Sequence, residues 1–131
     1  MRKRGFLKEL WIPLVCGFMI LVLFRFAFFL GYVPTESMEP TLSKNSCFLA
    51  IRLYAELNVG DIVVFKHGGR LLVKRIAAGP GDTIVHKRTV LTVPNGYFYM
   101  LGDNAEASYD ARYWDDTFVS ADQVVARVLL V

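Results

Sequence analysis

From Trp11 to Val33 apolar side chains follow one another with one interrupting charge, Arg25. As a helix these residues reach about 34 Å, enough for a hydrocarbon core of about 30 Å. The uncharged part, Trp11 to Phe24, reaches only about 21 Å, which puts Arg25 in the outer half of the span. There Arg25 can snorkel to the far interface beside Tyr32, while Trp11 suits the near one. The sequence therefore predicts a transmembrane helix over residues 11–33. After it the pattern becomes one of short strands. Cys47 to Tyr54 has mixed faces, and Ile62-Val63-Val64-Phe65 is a continuous apolar run of the kind a buried strand carries. Further strands are predicted at 70–77, 83–86, 89–93, 97–101 and 124–131. Asn58-Val59-Gly60-Asp61, Gly68-Gly69, Gly79-Pro80-Gly81-Asp82 and Pro94-Asn95-Gly96 supply the turns. Gly102 to Asp116 reads as a polar, Asp-rich loop. The expected fold is mainly β: one N-terminal transmembrane helix and then a compact all-β domain, a small barrel or sandwich.

Composition sharpens this outline. The chain has 131 residues, 54% of them apolar, and a net charge of +3. Four basic groups and one acidic group lie in the first ten residues. That asymmetry predicts a cytoplasmic tail at 1–10 and an extracytoplasmic domain at 34–131. A cleaved signal peptide would share the basic start. The apolar stretch is too long for one, and no small-x-small site follows it, since Phe28-Phe29-Leu30-Gly31-Tyr32 is bulky. A retained anchor in a lipid bilayer is the expectation. No basic patch interleaved with aromatics points to nucleic acid. Cys16 falls in the anchor and Cys47 in the outer domain, so no disulfide framework is expected. His67 and His86 lack partners at ligand spacing, so neither a metal nor another cofactor is expected.

The candidate chemistry starts at Pro34-Thr35-Glu36-Ser37-Met38-Glu39-Pro40-Thr41-Leu42, directly after the anchor. Ser37 matters only if a base can take its proton. Alternation along Arg70 to Ile76 puts Leu72, Lys74 and Ile76 on one strand face and Leu71, Val73 and Arg75 on the other. Lys74 is thus flanked by aliphatic neighbours. Desolvation disfavours an ammonium, and a neutral lysine can act as a general base. From periodicity alone the other reading stays open, that Lys74 snorkels to solvent.

Four blocks in order carry a more specific signal: Ser37-Met38-x-Pro40-Thr41-Leu42, Gly60-Asp61-Ile62-Val63-Val64-Phe65, Lys74-Arg75-x5-Gly81-Asp82 and Gly102-Asp103-Asn104-x3-Ser108-x-Asp110-x-Arg112. With the anchor before them, they resemble the bacterial type I signal peptidases, Ser-Lys proteases that cleave signal peptides from exported preproteins. The resemblance implies Ser37 as nucleophile and Lys74 as general base. It implies Thr35 as an oxyanion donor beside the Ser37 N–H, and Ser108 as the hydroxyl that orients the lysine. It gives Asp110 and Arg112 the part of a supporting ion pair. It also implies pockets for small residues at positions −1 and −3 of the signal peptide, matched here by Val33, Pro34, Met38, Leu42, Phe48, Val64, Leu72 and Val73. On a plain reading most of these are core residues. The partners implied are preproteins bearing signal peptides, and the implied location is the bacterial cytoplasmic membrane.

Several positions depart from the family pattern. Glu36 replaces a usual glycine beside the nucleophile; facing inward, it would favour charged Lys74 and weaken the base. Asn45-Ser46 stands where Gly-Asp is common, Ala111 where Ser is common, and Phe48 where a smaller aliphatic residue is common. Only 27 residues separate Lys74 from Gly102, which resembles the compact core of the short Gram-positive enzymes. The sequence also admits a non-catalytic membrane-tethered β-module, a self-cleaving repressor-type protease, and a dedicated processor of pilins or conjugation proteins. The repressor type calls for a DNA-binding segment, and the pilin type usually lacks the Ser-Met-x-Pro-Thr-Leu run.

Overall fold

A computed structural model describes residues 3–130. Met1 and Arg2 of the expected tail, and Val131 of the expected last strand, lie outside the described residues.

Helix α1 runs Lys3–Ala27. Its stretch Lys8–Ala27 is 20 residues with mean hydropathy 2.2, long and apolar enough to cross a membrane. The helix does not continue to Val33 as expected. Phe28–Tyr32 is instead strand β1, so the β domain begins at Phe28 and not at residue 34. The physical reason lies in β2, Cys47–Ile51, whose edge needs a partner. Phe28 to Tyr32 pairs antiparallel with it, from Phe28↔Ile51 to Tyr32↔Cys47. Arg25 sits in the last helical turn, where a cation suits the helix dipole. The Ala27 carbonyl accepts from the Arg52 N–H at 2.7 Å, which closes the helix end.

The remaining strands are β3 Ile62–His67, β4 Arg70–Ala78, β5 Thr83–His86, β6 Thr89–Thr92, β7 Tyr97–Leu101, β8 Val119–Ser120 and β9 Val124–Leu130. Seven form one antiparallel sheet in the order β1-β2-β9-β3-β4-β7-β8, and β5-β6 is a separate hairpin. The continuous apolar run of β3 is explained by its central place between β9 and β4. Its side chains alternate between two cores. Val63 and Phe65 join Ile76, Met100, Trp114 and Val119 in one. Ile62 and Val64 join Val33, Met38, Leu42, Phe48, Ala50 and Ala126 in the other. The second core anchors the serine segment. Gly31 is part of its design, because a Cβ there would lie 2.5 Å from a ring carbon of Phe48, its cross-strand partner. The glycine leaves the space that the Phe48 ring occupies.

Candidate active site

Residues 33–42 are fixed at both ends. Met38 and Leu42 are fully buried in the second core, and the Leu42 N–H donates to the Met38 carbonyl at 2.9 Å. Asn45 donates its N–H to the Val33 carbonyl at 2.7 Å. Asn45 has φ 65°, a left-handed conformation that asparagine tolerates better than most residues, so it can stand where glycine is common. Between these anchors the Ser37 carbonyl accepts from the Asn104 N–H at 2.9 Å, tying the serine to the loop after β7.

Within this frame Lys74 Nζ donates to Ser37 Oγ at 2.7 Å. Both side chains are buried, at 5% and 7% exposure. Burial lowers the Lys74 pKa from its ordinary 10.5; Asp110 pulls it back up, and Arg112 opposes Asp110. The open reading of Lys74 as a solvent-facing lysine is excluded by this geometry. Thr35 Oγ1 lies 3.2 Å from Ser37 Oγ.

Ser108 is buried and its hydroxyl donates to Asp110 Oδ2 at 2.7 Å; among the described residues it makes no hydrogen bond to Lys74. Asp110 is fully buried, and its carboxylate is a strong acceptor for the Ser108 proton. It also accepts from the Gly102 N–H at 2.9 Å and from Arg112 Nε and Nη2 at 2.8 and 2.6 Å. Burial alone would raise its pKa; the hydrogen bonds from Arg112, Gly102 and Ser108 outweigh it and leave the carboxyl below its usual range. This is more than an exposed loop pair. The bidentate guanidinium neutralises a buried charge next to the lysine.

Glu36 points away from the lysine. Its carboxylate meets Lys44 Nζ at 3.0 Å in a half-exposed ion pair, so the concern raised by its place beside Ser37 falls away.

The sequence reading missed a second clamp. Arg75 lies on the opposite face of β4 from Lys74. Its Nε and Nη2 meet Asp103 Oδ1 and Oδ2 at 2.8 and 2.7 Å, and its Nη1 donates to the Gly60 carbonyl at 2.6 Å. Thr41 Oγ1 donates to Asp103 at 2.6 Å. Residues 37–41 therefore grip β4 from both faces, Ser37 at Lys74 and Thr41 at the Arg75–Asp103 pair. Both charged residues stood inside the quoted motifs, yet alternation alone gave Arg75 no partner.

A cleft of about 510 Å³ opens over the pair. Thr35, Ser37, Leu72 and Lys74 line it, with His67, Gly68 and Arg70 at the β3–β4 turn and Ala107, Tyr109 and Trp114 from the segment after β7. Of the eight expected pocket residues only Leu72 lines this cleft. Val33, Met38, Leu42, Phe48 and Val64 are buried in the second core, Val73 packs partly against it, and Pro34 is exposed. The order of strands also leaves an edge open. β7 pairs with Arg75, Ile76 and Ala78, and β3 covers the other side of β4. Among the described residues no strand pairs with the β7-side edge of Arg70 to Lys74. Among those residues there is also no His, Cys, Asp or Glu group arranged to hold a metal ion.

Comparison with known proteins finds signal peptidases among the relatives of this chain. "Probable signal peptidase I-2" of Synechocystis is 27% identical, over 76% of this chain and 60% of that protein. "Signal peptidase I" of Bacillus caldolyticus is also 27% identical, over 90% of this chain and 85% of that protein. "Inactive signal peptidase IA" of Staphylococcus aureus is 26% identical, over 75% of this chain and 55% of that protein. The chain thus spans less than two thirds of the Synechocystis and Staphylococcus relatives. The family described as "Signal peptidase, peptidase S26" matches residues 7–93 and 85–131. With nearly its whole length matched, the chain belongs to the signal peptidase family, peptidase S26.

Proposed function

We propose that this chain is a membrane-bound serine endopeptidase that removes signal peptides from exported preproteins after small-x-small sites. The observation that carries the reading is the buried 2.7 Å contact between Lys74 Nζ and Ser37 Oγ. Burial favours the neutral amine. With the amine neutral, the hydrogen bond reverses and the Ser37 hydroxyl donates to the Nζ lone pair. Lys74 takes that proton as Oγ attacks the carbonyl of residue −1. The ammonium then protonates the leaving amine, and an acyl-enzyme remains on Ser37. Water attacks the ester with Lys74 again as base, and Oγ recovers its proton. The Ser37 N–H and the Thr35 hydroxyl face the developing oxyanion, where one such donor is worth about 3 kcal/mol. Asp110, Arg112 and Ser108 hold the lysine's surroundings and take no proton.

The substrate lies extended along the open edge of Arg70 to Lys74, by strand addition. Helix α1 crosses the bilayer with its basic end in the cytoplasm, so the β domain stands outside. Phe26 and Leu30, 72% and 75% exposed, meet lipid at the helix–sheet junction.

A second reading follows from the relatives named inactive: a tethered module that binds exported chains without cutting them. The presence of both Ser37 and Lys74, in contact, favours catalysis. The test is incubation of the full chain in lipid with a preprotein, followed by N-terminal sequencing of the product. Cleavage after a small-x-small site supports the peptidase; stable binding without cleavage supports the module.

A further inference from the structure

The far end of the cleft holds groups that the catalytic reading does not use. Arg70, Leu72 and Lys74 share one face of β4 and all line the cleft, which therefore runs from the dyad to Arg70. At about 3.3 Å per residue, Arg70 lies about 13 Å along the strand from Lys74. Arg70 is exposed, and among the described residues its guanidinium meets no carboxylate. The His67 ring stacks on Trp114 at 3.9 Å, locking the β3–β4 turn to the loop that carries Ser108. Tyr109 is 69% exposed and lines the same cleft.

The direction of the substrate follows from the pockets. If residues −1 and −3 rest over Lys74 and Leu72, which line the cleft from one face of β4, the signal-peptide side runs from Lys74 toward Arg70. Residue −1 then sits by Lys74 and residue −5 by Arg70, with the side chains of −1, −3 and −5 on one side of the extended chain. We propose that Arg70, with Tyr109 of the same cleft, forms a subsite that selects an acidic side chain at position −5 of the signal peptide. A guanidinium and a phenol are both donors, which suits a carboxylate. The proposal rests on the peptidase reading and adds a specificity-determining residue to it.

The experiment uses the full chain in detergent and three preproteins that differ only at −5: Glu, Gln and Lys. The wild type is expected to cleave the Glu substrate about fivefold faster in kcat/KM than the Lys substrate, the scale of a partly exposed ion pair. Added salt shrinks that ratio. Arg70→Glu inverts it. Cleavage of the Gln substrate reports that each variant folds. Equal rates for all three substrates in the wild type, or a ratio unchanged by Arg70→Glu, overturn the subsite and leave the peptidase standing. Cleavage of none of the three overturns the peptidase reading, and the subsite with it.

Discussion

Gly102→Ala is the sharpest test of how the nucleophile is held. Gly102 lacks a positive φ, so alanine suits its backbone and any cost comes from space alone. A Cβ there would sit 2.6 Å from the Ser37 carbonyl oxygen and 2.5 Å from Ser108 Cβ. Ordinary contact begins at 3.4 Å, so the Ser37 carbonyl has to retreat by about 0.8 Å. The neighbour is backbone, which cannot swing aside as a long side chain would. The retreat also strains the 2.9 Å hydrogen bond from the Asn104 N–H. Overpacking of this kind costs about 1–3 kcal/mol. The larger effect is on rate, because a displacement near 1 Å at a reacting atom costs about 100-fold. The assay is steady-state cleavage of a preprotein beside thermal unfolding of the same sample. kcat falls by about 100-fold, and the unfolding temperature falls by several degrees. Gly79→Ala is the control: its nearest neighbour would be Val59 Cγ2 at 3.5 Å, and rate and stability stay near wild type. A Gly102→Ala enzyme that cleaves at the wild-type rate refutes this packing of the serine segment.

Burial lowers the Lys74 pKa, and only the neutral amine is a base, so kcat/KM rises with pH through that lowered pKa; a profile flat from neutral to alkaline pH contradicts a titrating lysine. Arg112→Met removes the charge that opposes Asp110, so the rising limb moves to higher pH, read from the same profile. Lys74→Met abolishes cleavage yet raises stability by about 1–2 kcal/mol at neutral pH, since an apolar chain replaces a buried amine. Between the lowered pKa and 10.5 the unfolded chain binds more protons than the folded one. Wild-type stability therefore climbs with pH across that window, and the gap to Lys74→Met narrows in chemical denaturation. A Lys74→Met variant less stable than wild type sinks the desolvation argument. Asp103→Ala strips Arg75 of its carboxylate and Thr41 of its acceptor; it costs about 1 kcal/mol in denaturation and lowers kcat more than it changes KM.

Much of the domain was legible because its strands are short and their turns are marked. Ile62 to Phe65 announced a central strand, since both its faces had to be buried. Ser37 and Lys74 were legible only as parts of ordered motifs; alternation named the face of Lys74 but not its partner, 37 residues away in the chain. The helix end was misread because Phe28 to Tyr32 is as apolar as the span before it. Only the pairing with β2, a contact distant in sequence, makes it a strand. The bond from Ser108 to Asp110 was not legible either, because it depends on a buried charge that spacing does not reveal. The pocket set behaved similarly: residues such as Leu42 and Val64 are apolar both for a core and for a cleft, and packing puts them in the core.

The central claim is that Ser37 and Lys74 act as one unit, and paired substitutions test it most directly. Purified Ser37→Ala, Lys74→Ala and the double variant are compared with wild type for preprotein cleavage, each with its unfolding transition recorded. Each single variant, still folded, falls to background, and the double variant falls no further, as expected for groups that share one proton. A folded Lys74→Ala protein that keeps most of its activity contradicts the account.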